Sequence, residues 1–424
     1  MSEEKERLVR VRTKDLEVGM YVQDVGRRWI GHPWPRKSKL ITSENDIKQL
    51  RRYGIREVTV DLLRNQKTPA ETSPEAPEQT ASVPEAPEAP PEASKFLRPV
   101  EQLIIQSNDE ILEPIPIEDE IPRAREVYFS ALDTAREFTI DARAGRQVNI
   151  GKVRENVENL IDSAFRNRDA ALAILKLKSY DEYIFTHSLN VSVLAIGMGF
   201  HLSLSRSDIL NLGLGAMLHD LGKTGVPLEI LNKKGRLTED EYETVKHHPV
   251  IGADLLEKNK EVPPQTIDMT RHHHERIDGS GYPDHLAGEE LNSMMTITSL
   301  ADVYDALSSD RVYHKGLLPH DALKTIFALR DKQFNGLWIE RFVQCLGIYP
   351  AGTLVRLNSG EIGVVSSVNR GLLLRPIIRP IFNRFGGRVP DKSYLDLQES
   401  RYLDRNIIEV LDPKELKLDL SSYF

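Results

Sequence analysis

The sequence predicts a multidomain protein: a mainly α-helical bundle with a small α+β module in front and a short β-rich appendage behind. Three observations carry this. A stretch rich in Pro, Glu and Ala, Thr68 to Ser94, is free of aromatic residues and divides the chain; it cannot bury enough apolar surface to order itself. From about Arg123 to Leu346 the apolar residues recur with a helical period. Beyond Cys345 the pattern turns to alternation, the mark of half-buried strands. A length of 424 residues suffices for two or three domains, at about 100–200 residues each.

Residues 1–66 make the α+β module. VRVRTKDLEVGMYV alternates around a turn at Gly19. RRWIGHPWPRKSKLI is a loop with aromatic anchors. SENDIKQLRRYGIREVTVD predicts a helix capped by Ser43 and ended by Gly54, then a strand at EVTV. The linker over 67–97 follows, and 98–122 is a connecting segment. The helical domain spans 123–346, with at least seven helices and no strand. VRENVENLIDSAF sets Val153, Val157, Leu160, Ile161 and Ala164 on one face. DEYIFTHSLNVSVLAIGMGF and SDILNLGLGAMLHDLGK read as inner helices. His248 is expected to end a helical segment whose start, at Thr238 and Glu241, has capping-box spacing. SMMTITSLADVYDAL is a further helix, and Pro319 marks the start of another. Residues 347–413 form the β-rich extension, with a turn at Ser359–Gly360 and a strand in NIIEVLDP; 414–424 is a tail. No internal repeat occurs.

Hydrophobic residues make up 40% of the chain, enough for a sizeable core. The net charge is −8, so no overall basic field draws in a nucleic acid polymer. An anionic substrate therefore needs a local basic site. Cys345 is the sole cysteine, which excludes an intrachain disulfide and fits a reducing compartment. MSEEKERLVR lacks the apolar core of a signal peptide. The longest apolar run, Leu189 to Phe200, is too short for a span of about 20 residues. The expectation is a cytoplasmic protein without a membrane segment.

Within the helical block lie His187, the pair His219–Asp220, His248, His273 and His274 in HHHERIDGSGYP, and Asp302 and Asp305 in ADVYDAL. A lone histidine in an apolar helix is more often a satisfied core residue than a ligand. The set changes that weighing. LGAMLHDLG and LADVYDAL place carboxylates in apolar segments, where an unpaired charge is very costly. A metal ion offsets that cost, and imidazole with carboxylate suits iron, manganese, zinc or nickel. The residues are far apart in sequence, so helices must converge to build the site. DGSGYP, with two glycines and a proline, demands a tight turn.

HD at 219–220 with GK at 222–223, then HHP, HHERIDGSGYP and ADVYDAL, resemble the HD-GYP family of HD-domain phosphohydrolases over roughly residues 125–346. LEVGMYV and WIGHPW are similar to a domain of unknown function found ahead of such modules. The resemblance implies hydrolysis of cyclic di-GMP to pGpG, and in some members to GMP, by a metal-bridging hydroxide. It implies ligand roles for His187, His219, Asp220, His248, His273, His274 and Asp302, with Asp220 bridging two divalent ions, iron or manganese. His272 has no ligand role in the pattern. Members with a third metal carry a Glu where this chain has Tyr183, so a two-metal site is expected.

Lys223, with Asp220, is assigned to catalysis, neutralising charge on phosphate oxygens. Gly281, Tyr282, Asp305, Arg311, His314 and Lys315 join Lys223 as substrate-binding residues. In SDRVYHK the family's Arg-Pro-Tyr and following basic residue become Arg311, Val312, Tyr313 and His314, with Lys315 one position on. A neutral His314 weakens phosphate binding, which motivates an alternative reading as a nucleotide- or partner-binding module with little hydrolysis. Tyr282 is also placed to face a partner protein. The expected partners are cyclic di-GMP, diguanylate cyclase domains of the GGDEF type, and a second copy of the chain.

Overall fold

The computed structural model describes residues 8–18, 20–24, 39–41, 44–52, 55, 57–61, 115–176, 183–233, 235–310, 315–389 and 393–420. The chain forms two units, Met1–Glu88 and Ala89–Phe424.

In the first unit the predicted alternation becomes an antiparallel sheet. Its strands are β1 (Leu8–Arg12), β2 (Tyr21–Asp24), β3 (Lys39–Leu40) and β4 (Glu57–Asp61), in the order β1-β4-β2-β3. Val9 and Val11 of β1 lie opposite Val60 and Val58 of β4. One helix, α1 (Glu44–Arg52), contributes Ile47 and Leu50 to a core with Val22, Ile41, Val58 and Val60. Thr13 Oγ1 donates to the Ile55 carbonyl at 2.6 Å. The expected Gly19 turn, Ser43 cap, Gly54 stop, Trp loop and linker lie outside the described residues.

The second unit opens with α2 (Ile117–Arg143), which starts six residues before the expected Arg123 and contains Pro122. As the sixth residue it leaves the carbonyl one turn back without its N–H, and the helix runs on through it. Asn149 caps α3 (Ile150–Arg166) by accepting from Lys152 N at 3.0 Å. The predicted stripe Val153, Val157, Leu160, Ile161 and Ala164 is buried in full. Asn167 then ends α3 and caps α4 (Arg168–Ala173). The long apolar run lies inside α5 (Tyr183–His201), buried from Leu189 to Met198 on every side, as a central helix must be. Around it pack α6 (Arg206–Leu218), α2 and α11 (Ser293–Ser308).

The remaining helices are α7 (Leu228–Leu231), α8 (Glu239–Lys246), α9 (His248–Glu257), α10 (Pro264–His272), α12 (Pro319–Ala328) and α13 (Gly336–Leu346). The Thr238–Glu241 capping box forms on α8, and Pro319 is the first residue of α12. His248 opens α9 rather than ending the segment before it. No strand lies within 123–346 among the described residues; isolated bridges such as Asp278 with Ala287 do.

The C-terminal extension is an antiparallel sheet of β5 (Leu354–Leu357), β6 (Ile362–Ser367), β7 (Ile377–Phe382), β8 (Leu395–Asp396) and β9 (Ile407–Leu411), ordered β8-β7-β6-β5-β9. Gly360 takes φ +97° in the predicted turn. β7 went unpredicted because IIRPIF carries Pro380, which reads as a strand breaker. The proline sits opposite Gly363, where the register shifts, and a bulge accommodates it. No helix among the described residues is long and apolar enough to cross a membrane.

One polar network inside the bundle has a clear energetic signature. The Glu120 carboxylate on α2 is fully buried; Arg166 Nε and Nη2 donate to it at 2.7 and 2.8 Å, and Ser163 Oγ at 2.7 Å. Removing Arg166 strands the buried Glu120 carboxylate. Arg166→Met is expected to destabilise the helical unit by roughly 3 kcal/mol, read as a shift in the urea unfolding midpoint.

Candidate metal centre

Four inward-facing imidazoles are oriented by what holds their outer nitrogen. His219 Nδ1 donates to the Ala216 carbonyl at 2.7 Å, His248 Nδ1 to Val245 at 2.7 Å and His273 Nδ1 to Thr270 at 2.8 Å. Each acceptor lies three residues back, in the last turn of α6, α8 or α10, where carbonyls have no helical partner. A carbonyl can only accept, so Nδ1 carries the proton and Nε2 keeps its lone pair. His187, on α5, uses a carboxylate instead: its Nδ1 lies 2.8 Å from Asp305 Oδ2.

The Nε2 atoms converge on Asp220. Its Oδ1 is 3.2 Å from His248 Nε2 and 3.7 Å from His273 Nε2. Its Oδ2 is 3.5 Å from His219 Nε2 and 3.6 Å from His187 Nε2. Asp302 Oδ1 on α11 completes the second side, 3.1 Å from His187 Nε2. The donors thus fall into two groups, Asp220 with His248, His273 and His274, and His187 with His219 and Asp302, each within 4.8 Å. One oxygen of Asp220 faces each group. All seven residues picked out in the sequence are brought together.

This donor set fits divalent cations. His219 Nε2 and Asp220 Oδ1 are buried with no hydrogen-bond partner in the protein. His248 and His273 point Nε2 at each other across 3.3 Å. Burial holds His219, His273 and His274 below the ordinary histidine pKa, in the neutral form that ligates. Burial also opposes charge on His187, but Asp302 and Asp305 outweigh it and raise its pKa to about 9. Burial works against charge on Asp220 and Asp302 too; Lys223 and His219 hold the first well below the usual range, and His187 the second.

Two glycines let the backbone close around the site. The 3-10 turn Leu221–Gly225 packs on α9 so tightly that a Cβ on Gly222 would lie 1.9 Å from the His248 carbonyl oxygen. A Cβ on Gly281 would lie 2.4 Å from Glu275 Cα, so the DGSGYP loop rests directly on the turn that follows His273 and His274. Tyr282 then stacks on His274, ring centroids 4.8 Å apart. Lys223 Nζ donates to Asp220 Oδ2 at 2.6 Å.

Asp305 is corrected. It was expected to bind substrate, but it is buried behind His187 and accepts from Asn190 Nδ2 and Ser309 Oγ at 2.9 Å each. Tyr128 in turn donates to Asn190 at 2.7 Å. Asp302 and Asp305 share a helix face, so one stands in front of the imidazole and the other behind; the three-residue spacing is the signal that could have separated them. Lys315 is also engaged elsewhere: its Nζ donates to Asp412 of the C-terminal extension at 2.7 Å. Arg311 and His314 lie outside the described residues, as does the Tyr183 side chain.

His272 is outside both donor groups and bridges Asp268 and Asp284 at 3.0 and 2.9 Å. Sequence reasoning missed Glu275 and Arg276. Buried Glu275 accepts from Asp284 N at 2.7 Å, pinning the far end of the loop. Arg276 Nη1 donates to the carbonyls of His273 and Glu275 at 3.2 and 2.7 Å. Only the fold shows that these charges face backbone rather than ligand.

A helical bundle that brings a His–Asp pair together with histidines and an aspartate from other helices is an HD-domain metal centre. Residues 168–336 match the HD domain, 8–153 a domain of unknown function (DUF3391), and 354–419 a KOW domain associated with HD domains. A cyclic di-GMP phosphodiesterase of Pseudomonas aeruginosa is 33% identical over 400 residues, 94% of this chain and 91% of that one. A cyclic di-GMP phosphodiesterase response regulator of Xanthomonas campestris is 41% identical over 136 residues, 32% of this chain and 36% of that protein. Among solved structures, an HDG"Y"P protein of Bdellovibrio bacteriovorus covers 79% of this chain and 98% of its own at 17% identity, with a TM-score of 0.45. The chain belongs to the HD-GYP family.

Two predictions separate the roles. Asp220→Ala removes the carboxylate common to both donor groups and is expected to purify with little or no metal by elemental analysis; wild-type content would contradict the shared role. Asp305→Asn is expected to weaken metal affinity about 10- to 100-fold, the usual effect of losing a carboxylate behind a ligand histidine. A competitive chelator titration measures it, and a change in substrate KM alone at saturating metal would restore Asp305 to the substrate.

Proposed function

We propose that the protein hydrolyses the phosphodiester bonds of cyclic di-GMP, giving pGpG and, on a second cleavage, GMP, in the cytoplasm. The observation that carries this is the division of seven donors into two groups through one carboxylate. The family and the relative matched over most of both chains support the substrate class. Two divalent ions, iron or manganese, suit the donors; bound there they would supply Lewis acidity and activation of water for attack on the phosphorus.

The protein's own residues set the stage for that attack. Asp220 holds the two donor groups in register. The Lys223 ammonium, beside Asp220, is placed to neutralise charge developing on phosphoryl oxygens. Gly281 and Tyr282 line the approach to His274 and would seat the nucleotide. The Tyr282 ring lies over a ligand histidine rather than free at the surface, which favours its substrate role over a partner role. Arg311 and His314 remain candidates for the second phosphate. Diguanylate cyclase domains of the GGDEF type and a second copy of the chain are the protein partners this reading carries.

The test is anaerobic loading with ferrous iron or manganese followed by product analysis. Cyclic di-GMP should be converted to pGpG; a chelator should abolish turnover and added metal restore it. Lys223→Ala should lower kcat about 10²- to 10³-fold with metal content retained. Tight binding without turnover at full metal loading would replace this reading by that of a binding module.

A further inference from the structure

Helix α8 buries none of its residues, yet it is firmly held. The Thr238–Glu241 capping box closes its start, and Lys233 Nζ bonds Glu241 at 2.5 Å. At its end the Val245 carbonyl fixes the ligand His248. Helix α8 is thus anchored beside the metal centre while its surface stays open. On that surface Tyr242 is 50% exposed. Lys246, one turn on, places Nζ 5.2 Å from the centroid of the Tyr242 ring and 5.8 Å from that of Tyr282. Tyr282 stacks on His274. The order His274, Tyr282, Lys246, Tyr242 is a continuous path from a ligand to an open aromatic face.

We propose that Tyr242 is a base-binding residue: its exposed ring stacks a purine of the substrate, and Lys246 holds it in line with Tyr282. A helix-surface Tyr–Lys pair one turn apart needs no such role. Here, however, the lysine also faces Tyr282, on the loop that rests on the ligand turn, which ties the pair to the centre. Aromatic rings are sequence-tolerant platforms because every base offers a π-face. A metal centre that reads only phosphate cannot distinguish a nucleotide diester from any other; a platform beside it can.

This inference rests on the cyclic dinucleotide reading, and its test is built to fail separately. Kinetics on the metal-loaded protein compare cyclic di-GMP with methyl p-nitrophenyl phosphate, a diester without a purine. Tyr242→Ala should lower the ratio of kcat/KM for the first over the second about tenfold, mainly through KM, as expected for one lost stacking contact. Tyr242→Phe, which keeps the ring, should restore the ratio. An unchanged ratio in Tyr242→Ala, or loss of metal in that variant, would overturn the proposal. If the wild type does not turn over cyclic di-GMP, the functional reading falls, and the platform is judged by the calorimetric Kd for the same ligand. A tenfold weakening in Tyr242→Ala then supports it, and an equal Kd rejects it.

Discussion

Everything in the helical unit is arranged around one unfavourable act, the burial of Asp220 among imidazole lone pairs. A carboxylate taken out of water costs several kcal/mol even after relaxation. Neutral His219 and His273, facing it with Nε2, offer electron pairs where protons are needed. Asp220 Oδ1 and His219 Nε2 are left without protein partners. In a well-formed interior such atoms are rare, and here they lie within one small volume. Cations are the species that would turn this arrangement from a penalty into a binding site, and their affinity would then be linked to the stability of the unit.

The way the ligands are aimed connects that site to the fold. Three of the imidazoles hang from carbonyls in the last turns of α6, α8 and α10. A helix end must dispose of its unpaired carbonyls in any case, and here each finds a donor that also fixes a tautomer. The orientation of a ligand thus requires no extra polar group. It also means that a ligand moves if its helix ends elsewhere, which makes helix boundaries part of the chemistry. The tight seat of Gly222 on the first turn of α9 serves the same end, since it sets the distance between the His219–Asp220 corner and His248.

Local patterns made much of this legible. The buried stripe of α3, the capping box of α8, the alternation of β1 and β4, and the clustering of histidines and aspartates in apolar segments are all written within short windows. What escaped depends on contacts between distant segments. Asp305 and His187 are 118 residues apart, and nothing local says that a second aspartate on α11 would stand behind a histidine rather than beside substrate. Glu275 and Arg276 look like solvated charges until the loop folds back over them. Pro122 and Pro380 hide the start of α2 and the whole of β7 because a proline reads as a break. The structure admits the first near a helix start and the second at a bulge.

The DGSGYP loop shows why a site of this kind needs more than ligands. Its glycine at 281 permits close approach to the ligand turn, and that approach is what lays Tyr282 on His274. Glu275 and Asp284 then lock the loop from the other side. Asp284 is itself held by Arg271 at 2.7 and 2.9 Å and by His272. His272, the histidine of the triplet that reaches neither donor group, therefore acts by position, fastening the loop that the next two histidines need. The triplet divides its work where α10 ends, since His272 is its last residue and His273 and His274 lie in the turn beyond it. Two turn inward to the centre and one turns back to its support, and a run of like residues becomes a site and its brace.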